Sequence, residues 1–181
     1  MWYPATITVA ATAEPVTVPE AKRQCRVSFA DDDEYFSDLI KAARNHVEKY
    51  CGVRFATQTV ELKCDRWCDF AYLPEGPVQS VSVITYIDTD GVEQTLGDDV
   101  YELRADGLEA RIALRFGQTW PATQLGSRIT VTAVVGTPDV PPAVKYAMLA
   151  WIDEAYENRG VAVWENTALF DALLSNHRRF A

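Results

Sequence analysis

The chain has 181 residues, of which 48% are hydrophobic, 11% aromatic and 24% charged. These proportions are typical of a globular protein with a core, and they exclude a largely disordered or collagen-like chain. The 26 acidic and 17 basic side chains give a net charge of −9, which disfavours general binding to nucleic acid because the chain would repel phosphates.

The N-terminal third predicts an extended arm and two helices. Residues 1–14 are mostly small, and apolar and polar residues alternate among them, as in an extended arm or an edge strand. They carry no basic start and no long apolar run, so we expect a soluble protein without a secretory signal or membrane span. Thr17 and Glu20 have the spacing of a capping box, which predicts a helix over residues 18–26. A longer helix is predicted from the acidic residues 31–34 to Gly52.

The middle of the sequence predicts a block of β-strands, because β-branched residues and alternation dominate residues 54–139. The turn that ends in Gly91 predicts a hairpin, and Gly117 with Pro121 marks a loop. The predicted strands cover residues 55–62, 78–87, 92–96, 101–104, 110–116 and 128–135.

Helix signals return at Pro141 and Pro142, and predict one helix to about Gly160 and another over residues 167–177. The apolar stripe of the first of these two helices places Trp151 in the core. We therefore predict an α+β fold in which the N- and C-terminal helices form a bundle around an inserted antiparallel β-sheet lobe. The prediction is one domain over residues 1–181, with helical parts at 17–53 and 141–178 and the insertion at 54–139. The insertion holds most of the negative charge.

The sequence lacks the motifs of common catalytic sites. It has no glycine-rich nucleotide loop, no His-Glu-x-x-His pair and no nucleophile elbow. His46 and His177 are far apart in sequence, so a solvent-facing or hydrogen-bond-satisfied helical residue is favoured for His46 over a general base. We therefore predict a chain that is not an enzyme and needs no cofactor.

Three groups of side chains suggest metal sites only weakly. Residues 31–33 are all aspartate, but they are explained by a helix N-terminus. Asp88, Asp90 and Glu93 form part of a calcium-loop pattern without its terminal glutamate. Cys64 and Cys68 could hold half a zinc site, yet no second pair accompanies them, so we expect free thiols and no metal.

Aromatic residues leave a binding surface open as an alternative. Trp120 and Trp164 are predicted at a loop and a helix edge, where exposed aromatic side chains often mark protein interfaces. Phe180 follows Arg178 and Arg179 at the tail; a helix C-terminus explains the arginines but leaves an exposed phenylalanine unexplained.

The order of motifs resembles the head-tail connector (adaptor) proteins of long-tailed bacteriophages, prophages and gene transfer agents. The resemblance covers residues 15–180, and it depends on the order and spacing of many short stretches. They are VPEAK at 18–22, DDD at 31–33, LIKAAR at 39–44, VE at 47–48, CGVR at 51–54, LP at 73–74, GPV at 76–78, VITYID at 83–88, DG at 90–91, QTWPA at 118–122, PPAVK at 141–145, Trp151 and YENR at 156–159.

The resemblance implies a structural subunit, located at the head-tail junction of the virion after assembly in the bacterial cytoplasm. Such subunits form a ring, commonly of twelve copies, that docks on the portal, extends the DNA channel without specific DNA binding, and receives the stopper or tail protein. It implies portal docking by Arg178, Arg179 and Phe180. The implied subunit interface comprises Tyr156, Glu157, Asn158, Arg159 and Trp164.

Two other functions remain open at this point. A β-sandwich-type binding module for a carbohydrate or peptide is suggested by the strands and aromatic residues. A metal-dependent hydrolase would have to use the aspartates near residues 31 or 90.

Overall fold

The computed structural model describes residues 1–158 and 167–179. The chain divides into two compact units. We call Met1–Thr12 with Thr57–Thr137 the sheet unit, and Ala13–Ala56 with Pro138–Ala181 the helical unit.

The helical unit contains α1 (Val18–Gln24), α2 (Asp33–Cys51), α3 (Pro142–Glu157) and α4 (Thr167–Leu174), followed by a 3₁₀ turn at Ser175–His177. Helices α1, α2 and α3 contact one another pairwise, and α4 contacts α3. The apolar stripe predicted for the long helix is buried, except that Tyr50 is only half-buried. On α3 the buried side chains include Val144, Met148 and Ile152. Trp151, which we predicted in the core, is only half-buried, because it lies at the margin of this stripe.

The helix ends follow the predicted chemistry. The Thr17 hydroxyl and backbone N–H both donate to the Glu20 carboxylate, at 2.7 and 2.8 Å, and the Glu20 N–H returns a bond to the hydroxyl. These bonds from Thr17 hold the pKa of Glu20 below its usual value. Helix α2 ends at Gly52, whose φ of 64° lies in the left-handed region that favours glycine. The capping box and the glycine stop are both confirmed.

The sheet unit contains two antiparallel sheets. Strands β1 (Thr6–Val9), β2 (Gln58–Cys64), β3 (Val78–Ile87), β4 (Glu93–Thr95) and β7 (Ile129–Val135) form a sheet in the order β1-β2-β7-β3-β4. Strands β5 (Tyr101–Asp106) and β6 (Glu109–Leu114) form a separate hairpin. The order places β1 at one edge and β4 at the other.

The register of β2 and β7 determines which sheet face is buried. Val60 lies opposite Ala133, Leu62 opposite Val131 and Cys64 opposite Ile129. All six side chains are buried, and they alternate along each strand with threonine, charged or valine residues that are half-buried. A one-residue slip would exchange the two faces, so this alternation fixes the register.

The mixed α+β class and the antiparallel strands are confirmed. The helical bundle and the single-domain organisation stay predictions. The N-terminal arm does form an edge strand, and it joins the sheet unit. Strand β2 starts three residues later than predicted, because the N–H groups of Phe55 and Ala56 bond a glutamate side chain instead of a neighbouring strand.

Replacing Gly52 tests the stop of α2. We expect Gly52→Ala to lower the free energy of unfolding by about 1 kcal/mol, because alanine is strained at positive φ, and Gly52→Asn to cost less. Urea denaturation followed by circular dichroism measures both. Equal stability of the alanine variant and the wild type would contradict this assignment.

Candidate assembly surfaces

The predicted docking residues at the tail lie against the end of α2. The Arg178 guanidinium stacks over the Tyr50 ring, 4.7 Å from its centroid, and its Nη1 lies 3.9 Å from Asp171 Oδ1. The Arg179 N–H donates to the Cys51 carbonyl at 2.7 Å. Arg179 is only 5% exposed, so Arg178 is the tail cation that a partner can reach in this arrangement. Phe180 lies outside the described residues.

Tyr156, one of the predicted subunit-interface residues, lies at the other end of α2. The Tyr156 hydroxyl donates to Asp32 Oδ2 at 2.6 Å, and its ring stacks on Phe36 with centroids 4.7 Å apart. Tyr35 packs against the same tyrosine and is itself exposed. Tyr156 therefore ties α3 to the start of α2 within one subunit.

The remaining interface candidates are unevenly placed. Glu157 and Asn158 are exposed at the end of α3, where the Asn158 amide donates to Glu154 at 2.7 Å. Arg159 and Trp164 lie outside the described residues. A 19-residue helix is about 28 Å long, so Arg178 and Tyr156, which contact opposite ends of α2, do not form a single site.

A buried carboxylate that sequence reasoning missed organises the same helix. Glu48 is 4% exposed, and its Oε1 accepts the N–H groups of Phe55 and Ala56 at 2.8 and 3.1 Å. Its Oε2 lies 3.3 Å from Arg44 Nη1 and 3.5 Å from Arg54 Nη1. The sequence indicates this network in one way. Glu48 follows the apolar position Val47, and Arg44 lies four residues before Glu48.

Arg44 extends this network to the incoming chain. Its Nε donates to Glu14 Oε2 at 2.7 Å. Two segments are therefore anchored to one turn of α2. One precedes α1, at Glu14, and the other follows α2, at residues 55–56. A paired and fully bonded buried charge of this kind is stable only while every partner is present.

His46 packs between two aromatic rings, 5.9 Å from Trp151 and 5.5 Å from Phe170. Burial lowers its pKa, and Lys49 lowers it further. The His46 side chain is exposed and contacts two aromatic rings, which favours the interpretation of His46 as a helical residue rather than a general base.

An aromatic cluster in the sheet unit explains Trp120. The rings of Trp120 and Trp67 are stacked, with centroids 5.0 Å apart and planes 3° apart, and both meet the edge of Phe70. Trp2 packs on Phe70 and donates from Nε1 to the Tyr72 carbonyl at 2.7 Å. Trp120 is therefore used within the subunit, and the reason for expecting an exposed ligand-binding surface there is removed.

The acidic candidates are engaged in local structure. Asp88 Oδ1 accepts the N–H groups of Asp90 and Val92, both at 2.9 Å, as in a hairpin turn. Asp33 pairs with Lys22 at 2.5 Å. The described residues contain no group of three or more potential metal-ligating side chains.

The cysteines are free thiols in different surroundings. Cys68 is exposed, whereas burial raises the pKa of Cys51 to about 11 and of Cys64 to about 12. Burial also raises the pKa of Cys25 to about 12, and the nearby Asp153 adds to the shift.

None of the helices in the described part of the chain combines the length and apolar character needed to cross a bilayer.

Comparison with known proteins shows one matching family model. Residues 15–103 match the model of the phage gp6-like head-tail connector protein family. No curated protein matches the chain. The resemblance to head-tail connectors predicted from the sequence is confirmed over the matched residues.

Solved structures extend the likeness to nearly the whole fold. A chain in the neck of an empty gene transfer agent particle, computed with C6 symmetry, has 21% identity and a TM-score of 0.78. A chain in the virion of a native gene transfer agent particle has 21% identity and a TM-score of 0.80. A chain in the neck of a native particle, computed with C12 symmetry, has 19% identity and a TM-score of 0.74. Each match covers 99% of this chain and 97% of the other.

The matched family and structures are structural neck proteins rather than enzymes, which confirms the prediction of a chain that is not an enzyme.

The buried carboxylate gives a stability prediction. We expect Glu48→Ala to cost about 3–5 kcal/mol of unfolding free energy, because two buried backbone N–H groups lose their acceptor and Arg44 and Arg54 each lose an ion-pair partner. Glu48→Gln keeps an acceptor for the N–H groups and should cost less. Urea titration measures both, with the exposed Glu34→Ala as a control that we expect within about 0.5 kcal/mol of wild type. A Glu48→Ala cost as small as that of the control would contradict the role of the network.

Thiol accessibility gives a second prediction. We expect one thiol, Cys68, to react rapidly with Ellman's reagent near pH 8, because the raised pKa values of the other three leave little thiolate and two of them are buried. Cys68→Ser should remove the rapid phase, and unfolding in denaturant should expose the remaining thiols. Rapid reaction of more than one thiol in the folded protein would contradict the assignment.

Proposed function

We propose that this chain, which resembles head-tail connectors in sequence and neck components of gene transfer agents in fold, is a connector subunit that assembles as a ring. The ring docks on the portal, extends the DNA channel and joins the head to the stopper or tail protein. The observation that carries the proposal is the fold match over 99% of the chain to components of particle necks.

A ring of twelve copies agrees with the neighbours, whose necks were computed with C6 and C12 symmetry. A closed ring joins two different surfaces on each copy. The helical unit offers two such surfaces at the ends of α2. One carries Asp31, Glu34 and Tyr35, all exposed, and the other carries Lys49, also exposed.

The charge of the chain fits a channel through which DNA passes. Residues 55–139 carry 13 acidic and 6 basic side chains. An acidic lining holds phosphates weakly, because it releases no condensed counterions from the DNA. DNA is therefore a passing neighbour of the ring and is bound without sequence preference.

The tail supplies the surface proposed to meet the portal. Arg178 is exposed and held by Tyr50, so it presents a cation in a fixed position at the end of the helical unit. An acidic patch on the portal would recognise it. We propose assembly in the bacterial cytoplasm, where the head is completed before the tail joins.

Light scattering on a size-exclusion column tests ring formation. We expect a species of about twelve subunits, either for the chain alone at high concentration or after addition of its cognate portal. A strict monomer under both conditions would contradict the proposal. Saturable binding of a sugar or peptide by that monomer would favour the binding module instead.

Charge reversal tests portal docking. We expect Arg178→Glu to weaken co-sedimentation with the portal about tenfold or more while ring formation is kept, because a charged contact becomes a repulsion. Arg23→Glu reverses an exposed cation on α1 and is the matched control. Thermal unfolding of both variants checks their folding, and equal binding by the two would overturn the role of Arg178.

A further inference from the structure

Two uncharged segments of the sheet unit expose large apolar side chains, although the unit as a whole is strongly acidic. Residues 1–12 and residues 116–127 contain no aspartate, glutamate, lysine or arginine. Copies of one acidic protein repel each other wherever their charged surfaces meet. Uncharged segments are the places where such copies can approach at the lowest cost.

The second segment, which we call the β6–β7 loop, presents two apolar side chains to water. Phe116 and Leu125 are both fully exposed. Each occupies the second position of a four-residue turn: the Gln118 N–H donates to the Arg115 carbonyl and the Ser127 N–H to the Gln124 carbonyl, both at 3.1 Å. The third positions are Gly117 and Gly126, with φ of 79° and 81° as type II turns require.

The β6–β7 loop is fixed in place before any partner arrives. Trp120, at its centre, is stacked on Trp67, whose Nε1 donates to the Pro121 carbonyl at 2.9 Å. The Gln124 N–H donates to the carbonyl of Ile87, at the end of β3, also at 2.9 Å. A loop held in this way loses little conformational entropy when it binds.

The first uncharged segment exposes apolar side chains at one edge of the same sheet. Ile7 and Val9 on β1 are 48% and 55% exposed. Strand β1 is an edge strand, whereas the loop is bonded to β3, and β2 and β7 lie between them. Three strand spacings separate β1 from β3, about 14 Å. Two different apolar surfaces on one copy are what a head-to-tail contact between identical copies needs.

We infer that the β6–β7 loop of one copy docks on the β1 edge of the next copy, with Leu125 and Phe116 packed against Ile7 and Val9. The inference rests on the proposed ring and names the contact by which the sheet units of neighbouring copies meet. The occupant is a second copy, because both surfaces are neutral parts of an otherwise acidic unit and both lie on every subunit.

Single variants test each surface separately. We expect Leu125→Asp and Ile7→Asp each to weaken assembly tenfold or more in light scattering, alone or on the portal. Each variant introduces a carboxylate into an apolar contact of an acidic chain. Leu125→Met and Ile7→Val keep the apolar surface and should assemble like wild type. Thermal unfolding confirms that the aspartate variants are folded.

A mixture of the two aspartate variants tests the pairing itself. The Leu125→Asp copy keeps an intact β1 edge and the Ile7→Asp copy keeps an intact loop, so one productive contact remains. We expect an equimolar mixture to form a heterodimer that cannot close into a ring, while each variant alone stays monomeric.

The possible outcomes separate the two proposals. Full assembly by both aspartate variants would overturn the loop-to-β1 contact and leave the ring with another interface. Loss of assembly in both variants without a heterodimer in the mixture would also overturn it, because the two segments would then meet different partners. Failure of the wild type to assemble alone or on the portal would overturn the proposed function.

Discussion

The buried Glu48 carboxylate is the constraint on which the helical unit depends. It lies at a position of α2 that faces away from water, and it is matched by Arg44, Arg54 and two backbone N–H groups. Through Arg44 the network also holds Glu14. The chain segments that enter and leave the pair of N-terminal helices are thus anchored at one turn. Because buried ion pairs contribute little net stability, the value of this one lies in fixing the paths of those segments.

The sheet unit is held by different means. Its five-stranded sheet has a buried face of alternating apolar residues, and the aromatic cluster around Trp67 and Phe70 covers one region of it. Stacking at Trp120 uses the aromatic cluster to position the β6–β7 loop. The aromatic packing that stabilises the sheet unit therefore also positions the exposed apolar side chains of the β6–β7 loop.

The sequence predicted what depends on local chemistry. The Thr17 capping box, the Gly52 stop and the hairpin at Gly91 are short-range signals, and all were confirmed. The role of Glu48 was missed because its partners are defined only once α2 and residues 54–56 are folded. Trp120 was assigned to an exposed context because its stacking partner, Trp67, lies more than fifty residues away. Of the candidate site residues, Tyr156 and Arg178 lie at opposite ends of α2, a separation that no spacing in the sequence indicates.

The proposed connector function joins these features: an acidic chain, two ends of α2 with opposite charge, and a sheet unit with two uncharged segments that expose apolar side chains. The most direct test is electron cryomicroscopy of tailed particles from the host that encodes this chain. We predict a cyclic ring of copies between portal and tail, with density connecting neighbouring sheet units. A neck that lacks this chain would contradict the central claim.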